Sequence, residues 1–134
     1  MKKLFVAILS AAVLLSVSVI SYAKQPVVKP GIEVLKESGF QRLVGKRVGL
    51  VTNPSGVDSQ LRSTIDILYN APGVNLVALY GPEHGVRGDV YAGGAVTDTK
   101  DAKTGLPVHS LYGSTRKPTK EMLQGIDIMV YDIQ

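Results

Sequence analysis

One glycine-rich segment contains four ionisable side chains in a stretch of seven residues, and they are the strongest candidates for chemistry in this sequence. The segment, residues 81–89, reads GPEHGVRGD and contains Glu83, His84, Arg87 and Asp89. Glycine lets a backbone turn sharply and leaves room for a ligand. A carboxyl group that such a loop partly buries can have a raised pKa, as a general acid requires. The alternative from spacing alone is a solvated loop with a structural histidine and an arginine–glutamate ion pair.

Metal binding and phosphate binding are two further interpretations of this segment, and the sequence disfavours both. Glu83, His84, Asp89 and His109 could converge on a metal ion. However, an adjacent Glu and His do not form a helical ligand pair, and the sequence contains only two histidines. The glycines follow the pattern G-x-x-x-G-x-x-G, which is not the pattern of a dinucleotide-binding loop. We therefore expect no metal ion and no cofactor.

Three nearly continuous apolar runs, residues 47–52, 74–80 and 126–133, predict strands buried on both faces, as in a parallel sheet. Residues 107–112 are a further, short strand candidate. Pro107 has no backbone N–H, so it can stand only at the start of its strand or on a sheet edge. Residues 81–103 show no regular period. We predict a functional loop there, because compact domains rarely keep so long a connection without one.

Helical patterns separate these runs. One begins at Gly31, and Gly39 is placed to end it in a left-handed conformation. Apolar spacing predicts an amphipathic helix over residues 59–69, and Thr119 predicts the N-cap of a short helix through Leu123. The alternation of strands and helices indicates an α/β fold, with right-handed crossover units on a parallel sheet.

A second candidate residue, Asn53, follows the first predicted strand as Glu83 follows the second. Functional loops leave the carboxyl ends of parallel strands, so we expect both residues at the same edge of the sheet. Asn53 could hydrogen-bond a sugar hydroxyl or amide, and its alternative role is an Asx turn before Pro54. Aromatic faces suited to sugar rings are offered by three tyrosines, none of them singled out: Tyr80, Tyr91 and Tyr112.

Residues 1–23 have the pattern of a secretory signal peptide. Two lysines precede an apolar run of about 17 residues, and small residues precede a cleavage site after Ala23. A transmembrane anchor is the alternative, but a run of this length is at the lower limit for spanning a bilayer. We expect a periplasmic or secreted protein with no stable membrane anchor after cleavage, and a short leader over residues 24–30.

Composition excludes several classes of protein. The 134 residues contain no cysteine, which excludes a disulfide scaffold, a cysteine-ligated zinc site and a thiol nucleophile. The net charge is +4 and falls to about +2 without the lysines of the signal peptide. This charge is too small and too evenly spread to indicate nucleic-acid binding.

Six blocks of the sequence carry a resemblance that covers about residues 31–134. They read RVGLVTNPSGV, LRSTID, VNLVALYGPEHGVRG, TGLPVHSLY, RKPT and YDIQ, and they occur in this order with compatible spacing. In these blocks the sequence resembles the exo-β-N-acetylmuramidase (NamZ-type) glycoside hydrolases, a bacterial family formerly known as a domain of unknown function.

The resemblance implies a Rossmann-like N-terminal domain, residues 31–134, which in the family is followed by a second α/β domain. It places the active site in the cleft between the two domains. The implied activity releases N-acetylmuramic acid from the non-reducing ends of peptidoglycan fragments during cell-wall turnover. Glu83 matches the family's proposed catalytic glutamate in the motif G-P-E-H-G. Asn53, His84 and Arg87 match other motif positions, which implies that they contact the substrate.

Family members continue far past Gln134, so we expect this domain to be incomplete and the C-terminal domain of the same chain to be missing. Glycosidases usually need two carboxyl groups, and the second is not identifiable in this sequence. We therefore expect the fragment to be inactive alone. The alternative function is a non-catalytic periplasmic carbohydrate-binding module that uses the same loop without hydrolysis.

Overall fold

The computed structural model describes residues 28–89 and 99–133. The predicted signal peptide, residues 24–27 of the predicted leader, Tyr91 and Gln134 lie outside these residues. The described helices and strands are α1 (Gly31–Glu37), β1 (Arg47–Thr52), α2 (Thr64–Tyr69), β2 (Asn75–Gly81), β3 (Thr99–Lys100), β4 (Pro107–Ser110) and β5 (Ile128–Asp132). None of the helices in this part of the chain is long and apolar enough to cross a membrane.

The strands form one sheet in the order β3-β4-β2-β1-β5. The pairs β4–β2, β2–β1 and β1–β5 are parallel, which confirms the predicted parallel sheet. The short β3 pairs antiparallel with β4, so the sheet is mixed. Sequence analysis missed β3 inside the predicted loop, because two exposed residues are too few to show a strand pattern.

Apolar side chains fill both sides of the sheet. Val48 and Leu50 of β1 pack with Ile65 and Leu68 of α2, and α1 adds Ile32 to this larger cluster. A smaller cluster on the opposite side is centred on three buried residues of β1 and β2: Val51, Ala78 and Tyr80. Its partly buried members are three residues of the segment between β4 and β5 and Ile133, which follows β5.

A bulge in β2 decides which residues face which cluster. Val48 is level with Leu76, but Gly49 is level with Ala78, so Val77 is the extra residue. A bulge shifts the alternation of side chains along a strand. Gly49 then leaves room for the ring of Tyr80, because a Cβ on Gly49 would lie 3.0 Å from that ring.

Helix α2 begins at Thr64, so the prediction that it starts at residue 59 is wrong. Asp58 Oδ1 accepts the backbone N–H groups of Gln60 and Arg62, each at 2.9 Å, and Leu61 has φ of 60°. These local hydrogen bonds hold a turn that competes with the helix. Ser63 then caps the helix by accepting the N–H of Ile65.

The predicted helix after Thr119 is also wrong, although its capping interaction exists. Thr119 Oγ1 accepts the N–H of Met122 at 3.3 Å, and Thr119 O accepts the N–H of Leu123 at 3.2 Å. Two tighter turns follow, in which the N–H of Gln124 donates to Glu121 O and the N–H of Ile126 donates to Leu123 O, each at 3.1 Å, and Gly125 has φ of 77°. A first helical turn is a costly nucleus, and these tighter turns replace the hydrogen bonds that would extend it.

Candidate functional site

The carboxyl ends of four parallel strands meet at one edge of the sheet, which we call the carboxyl edge. Residues 53–56 follow β1, residues 82–89 follow β2, Leu111 and Tyr112 follow β4, and Asp132 ends β5. This is the edge at which ligands bind in open α/β sheets. Asn53 and Glu83 lie there together, as the sequence predicted.

Glu83 stands at the corner of a tight turn. The N–H of Gly85 donates to Pro82 O at 3.0 Å and closes the turn. His84 has φ of 70°, the left-handed conformation that the third position of a type II turn requires. Histidine tolerates this conformation better than most residues. The side chains of Glu83 and His84 are both exposed in this turn.

The segment after this turn is fixed to the body of the domain at successive residues. Val86 is 6% exposed and belongs to the larger apolar cluster. Gly88 packs on Pro54, so closely that a Cβ on Gly88 would lie 2.8 Å from Pro54 Cγ. With φ of 78°, Gly88 also has a conformation that favours glycine. This contact joins the loop after β2 to the turn after β1.

Between these two anchors, Arg87 makes a network of ion pairs. Its Nε and one terminal nitrogen donate to the two oxygens of Asp101 at 2.5 and 2.9 Å. The same terminal nitrogen donates to Asp66 Oδ1 at 3.1 Å, and Lys103 Nζ donates to Asp66 Oδ2 at 2.5 Å. The side chain of Asp101 is 3% exposed and that of Arg87 is 26% exposed. Arg87 therefore ties the loop to α2 and to the start of the β3–β4 turn.

Charge pairing in this network shifts both titrations. The hydrogen bonds with Arg87 lower the pKa of Asp101 to about 2, and Thr104 contributes further hydrogen bonds to the same carboxylate. The bonds to Asp101, followed by those to Asp66, hold the pKa of Arg87 above its ordinary value. The guanidinium is therefore charged, and two carboxylates of the same domain bind it. The arginine–glutamate pair considered from the sequence does not occur among these contacts, because aspartates take that place.

Glu83 makes a hydrogen bond across the carboxyl edge. Tyr112 Oη donates to Glu83 Oε1 at 2.9 Å. This bond, with the negative charge of Glu83, raises the pKa of Tyr112 above its ordinary value. Of the three tyrosines considered from the sequence, Tyr80 is fully buried, Tyr91 lies outside the described residues, and Tyr112 contacts the candidate acid.

Asn53 forms the Asx turn that was its alternative role. Its Oδ1 accepts the N–H of Ser55 at 3.2 Å and the hydroxyl of Ser55 at 2.6 Å. Asn53 is only partly buried, and its turn is the one on which Gly88 packs through Pro54. The structure thus shows how Asn53 shapes the carboxyl edge, and substrate contact by this residue stays a prediction.

The metal-ligand candidates do not form a cluster. His109 lies within β4, where its ring centre is 5.2 Å from that of Tyr80. Across residues 28–89 and 99–133, no group of three or more His, Cys, Asp or Glu side chains is arranged to hold a metal ion.

Sequence analysis missed a second carboxylate at the carboxyl edge. Asp132 Oδ2 accepts the hydroxyl of Thr64 at 2.5 Å, and Asp132 O accepts the hydroxyl of Thr52 at 2.8 Å. The signal was an acidic residue ending an apolar run, at the position where a parallel strand reaches its functional edge. Its carboxylate joins β5 to the start of α2.

A cavity of about 650 Å³ lies beside α2 and contains none of the predicted site residues. Its lining includes Phe40, Leu61, Arg62, Asp66 and Lys103. The carboxylate of Asp66 is already bound by Arg87 and Lys103. We favour the carboxyl edge as the reactive site, because Glu83 is exposed there in a turn that the domain fixes. An exposed carboxyl group in a fixed position can donate or accept a proton.

Comparison with known proteins shows which family this chain resembles. The sequence model of the family described as "Exo-beta-N-acetylmuramidase NamZ, N-terminal" matches residues 48–134. The chain is 55% identical over 112 residues to the peptidoglycan beta-N-acetylmuramidase NamZ of Bacillus subtilis (strain 168). That match covers 84% of this chain and 27% of the Bacillus protein, so the chain spans about a quarter of its relative.

Two crystal structures of DUF1343 family proteins from Bacteroides fragilis NCTC 9343 have the same fold. The first is 67% identical to this chain and has a TM-score of 0.73. The match covers 81% of this chain and 27% of the Bacteroides chain. The second is 34% identical with a TM-score of 0.63, and the match covers 81% of this chain and 26% of the other. These matches confirm the predicted α/β, Rossmann-like fold. The chain belongs to the family of NamZ exo-β-N-acetylmuramidase N-terminal domains.

Proposed function

We propose that residues 31–134 form the N-terminal domain of an exported glycoside hydrolase, which releases N-acetylmuramic acid from the non-reducing ends of peptidoglycan fragments. One observation carries the proposal. Glu83 is exposed at the carboxyl edge, in a turn closed by the Gly85 N–H and followed by the anchors Val86, Arg87 and Gly88. The name of the Bacillus relative supports the substrate class, since that protein is a peptidoglycan beta-N-acetylmuramidase.

Glu83 is proposed as the general acid of the reaction. Its carboxyl proton moves to the glycosidic oxygen as the bond from that oxygen to the anomeric carbon breaks. The leaving sugar departs as an alcohol, and the hydroxyl of a water molecule bonds to the anomeric carbon. The second proton of that water needs a base, and glycosidases usually supply it through a second carboxyl group.

The other predicted residues have different places in the proposal. His84 is exposed beside Glu83 in the same turn, so it is proposed to contact the sugar. Asn53 is proposed to contact it from the neighbouring turn. Arg87 could bind a carboxylate of the substrate, because a guanidinium group suits a carboxylate. Its ion pairs with Asp101 and Asp66 instead favour a role in holding the loop.

The remaining parts of the proposal concern the whole protein. The pattern of residues 1–23 supports export to the periplasm or beyond. A second domain is also proposed, and the length of the matched relatives supports it, since this chain covers 27% of each of the two most similar ones described above. That domain is proposed to supply the other wall of the active-site cleft, so residues 31–134 alone are expected to be inactive.

The experiment compares the full-length protein with its Glu83→Gln variant on a chromogenic N-acetylmuramic acid glycoside. Loss of general acid catalysis typically costs 10²–10⁴-fold in rate, so we expect kcat to fall by about that factor. The matched control is Glu121→Gln, which changes an exposed glutamate in the turn after Thr119. Near-normal turnover of Glu83→Gln would refute the catalytic role.

Calorimetry that measures the binding of N-acetylmuramic acid distinguishes the enzyme from the alternative, a carbohydrate-binding module. A module would bind the sugar with no hydrolysis by either form. The enzyme is expected to hydrolyse the glycoside, while Glu83→Gln keeps sugar binding within about threefold, because the substituted amide preserves the size of the side chain.

A further inference from the structure

We propose that Tyr112 is a positioning residue for Glu83. In this proposal the phenol binds Oε1 of the carboxyl group, and the proton for the glycosidic oxygen is carried on Oε2. The inference rests on the proposed function, because it assigns a role in that reaction to Tyr112, which the sequence suggested only as one of three aromatic faces for a sugar ring.

The geometry begins with the backbone on both sides of the contact. The N–H of Leu111 donates to Gly81 O at 2.8 Å, which continues the pairing of β4 with β2 by one step beyond the strands. Glu83 follows Gly81 by two residues, and Tyr112 follows Leu111 directly. The two side chains therefore start from backbone positions that the sheet itself fixes.

Ser110 adds a second constraint on Tyr112. The Ser110 hydroxyl donates to Tyr112 O at 3.0 Å and accepts the N–H of Tyr112 at 3.2 Å. Ser110 is 8% exposed at the end of β4, so little water competes for these hydrogen bonds. The backbone of Tyr112 is thus held from both of its polar groups. The phenol reaches Glu83 Oε1 at 2.9 Å from this fixed base.

A donated hydrogen bond to one oxygen distinguishes the two oxygens of a carboxyl group. In the acid form of a carboxyl group the carbonyl oxygen accepts a hydrogen bond better than the hydroxyl oxygen does, so a phenol that donates to Oε1 favours the proton on Oε2. A glutamate side chain has three rotatable bonds, and one exposed at a turn samples many orientations. Misplacement of a reacting group by about 1 Å can cost 10²-fold in rate. Tyr112 reduces this freedom, which would raise the turnover rate with little effect on sugar binding.

The test measures Tyr112→Phe in the full-length protein. We expect kcat to fall about tenfold with KM unchanged within about twofold, because the lost bond acts on the acid rather than on the sugar. Tyr69→Phe, at the exposed end of α2, is the matched control and is expected to keep the wild-type kcat. Wild-type kcat in Tyr112→Phe would overturn the inference.

A double variant tests whether Tyr112 acts through Glu83. In the Glu83→Gln background, Tyr112→Phe is expected to lower the residual rate by less than about twofold. The reason is that the effects of two residues that act through one another do not add. A full tenfold loss in that background would show that Tyr112 acts elsewhere and would overturn the inference. The proposed function fails separately, through high activity of the single Glu83→Gln variant.

A measurement without turnover tests the contact itself. The alkaline titration of Tyr112, followed by NMR with ring-labelled tyrosine and assigned with Tyr112→Phe, reports the pKa of the phenol. Glu83 raises that pKa, so Glu83→Gln is expected to move the titration of Tyr112 to lower pH. An unchanged titration would mean that the contact is absent in solution and would overturn the inference.

Discussion

The two edges of the sheet carry the same pair of residue types in different surroundings. At the amino edge, Arg47 binds Asp127 through a side-chain fork and a backbone N–H, and the side chains are 54% and 36% exposed. At the carboxyl edge, Arg87 makes a similar fork with Asp101, but the exposed fractions are 26% and 3%. The first pair lies in solvent, and the second is largely removed from it.

The exposed pair at the amino edge is a surface contact, whereas the largely buried pair at the carboxyl edge holds the loop that carries Glu83. Arg47 starts β1, and Asp127 directly precedes β5, so their pair joins the starts of two adjacent strands that backbone bonds already align. Arg87 joins the loop of Glu83 to Asp66 of α2 and to Asp101, and within residues 28–89 and 99–133 no strand pairing links these three segments. The fold therefore shields the Arg87–Asp101 pair from solvent beside the turn that carries Glu83, the proposed acid.

The largest expected effect comes from removing the buried arginine. Arg87→Met leaves the carboxylate of Asp101 buried without its main partner, and breaking such a pair typically costs 3–5 kcal/mol. Because Thr104 keeps two bonds to that carboxylate, we expect a loss of about 3 kcal/mol in the free energy of unfolding. Urea unfolding of the full-length protein measures it. A loss below about 1 kcal/mol would mean that solvent screens this network as well.

The acid side of the stability profile gives the next effect. The pKa of Asp101 falls from 3.8 to about 2 in the folded protein. A lowered folded-state pKa means that the stabilisation is present above about pH 4 and is lost as the pH falls through about 2. Its size is about 2 kcal/mol, since each pKa unit corresponds to about 1.4 kcal/mol.

Asp101→Asn is expected to remove this contribution and to flatten the fall in stability between these two pH values. Asp127 also has a lowered pKa, from its bonds to Arg47, but solvent surrounds it. High salt should therefore weaken the contribution of Asp127 and leave that of Asp101 nearly unchanged. If high salt weakened the contributions of Asp101 and Asp127 to stability equally, the contrast between the two edges would be contradicted.

The smallest effect is expected at the amino edge. Arg47→Met removes an exposed fork, and exposed ion pairs contribute about 0–1 kcal/mol. We expect the free energy of unfolding to change by less than about 1 kcal/mol and kcat to stay at the wild-type value. A loss as large as that of Arg87→Met would remove the distinction between the edges.

Sequence reasoning reached the parts of this molecule that depend on local pattern. Apolar runs predicted β1, β2 and β5, and a shorter pattern predicted β4. The carboxyl ends of β1 and β2 then placed Asn53 and Glu83 at one edge. Glycine at residue 39 has the left-handed conformation expected after α1. These results follow from periodicity and backbone preference, which act over a few residues.

The parts that were missed depend on contacts between distant segments. No spacing rule pairs Arg87 with Asp101, or Tyr112 with Glu83, because strand order decides which loops become neighbours. The start of α2 was misplaced because the carboxylate of Asp58 captures the two N–H groups of its own turn. Asp132 was overlooked because its partner, Thr64, comes from another element.

The central claim is that Glu83 gives a proton to the departing sugar, and a series of leaving groups tests it most directly. A good leaving group departs without protonation, whereas a poor one requires it. In the full-length protein, we expect Glu83→Gln to reduce kcat/KM for a sugar leaving group by about 10²–10⁴-fold. The same variant should keep most of its kcat/KM for a dinitrophenyl glycoside. An equal loss on both substrates would contradict the account.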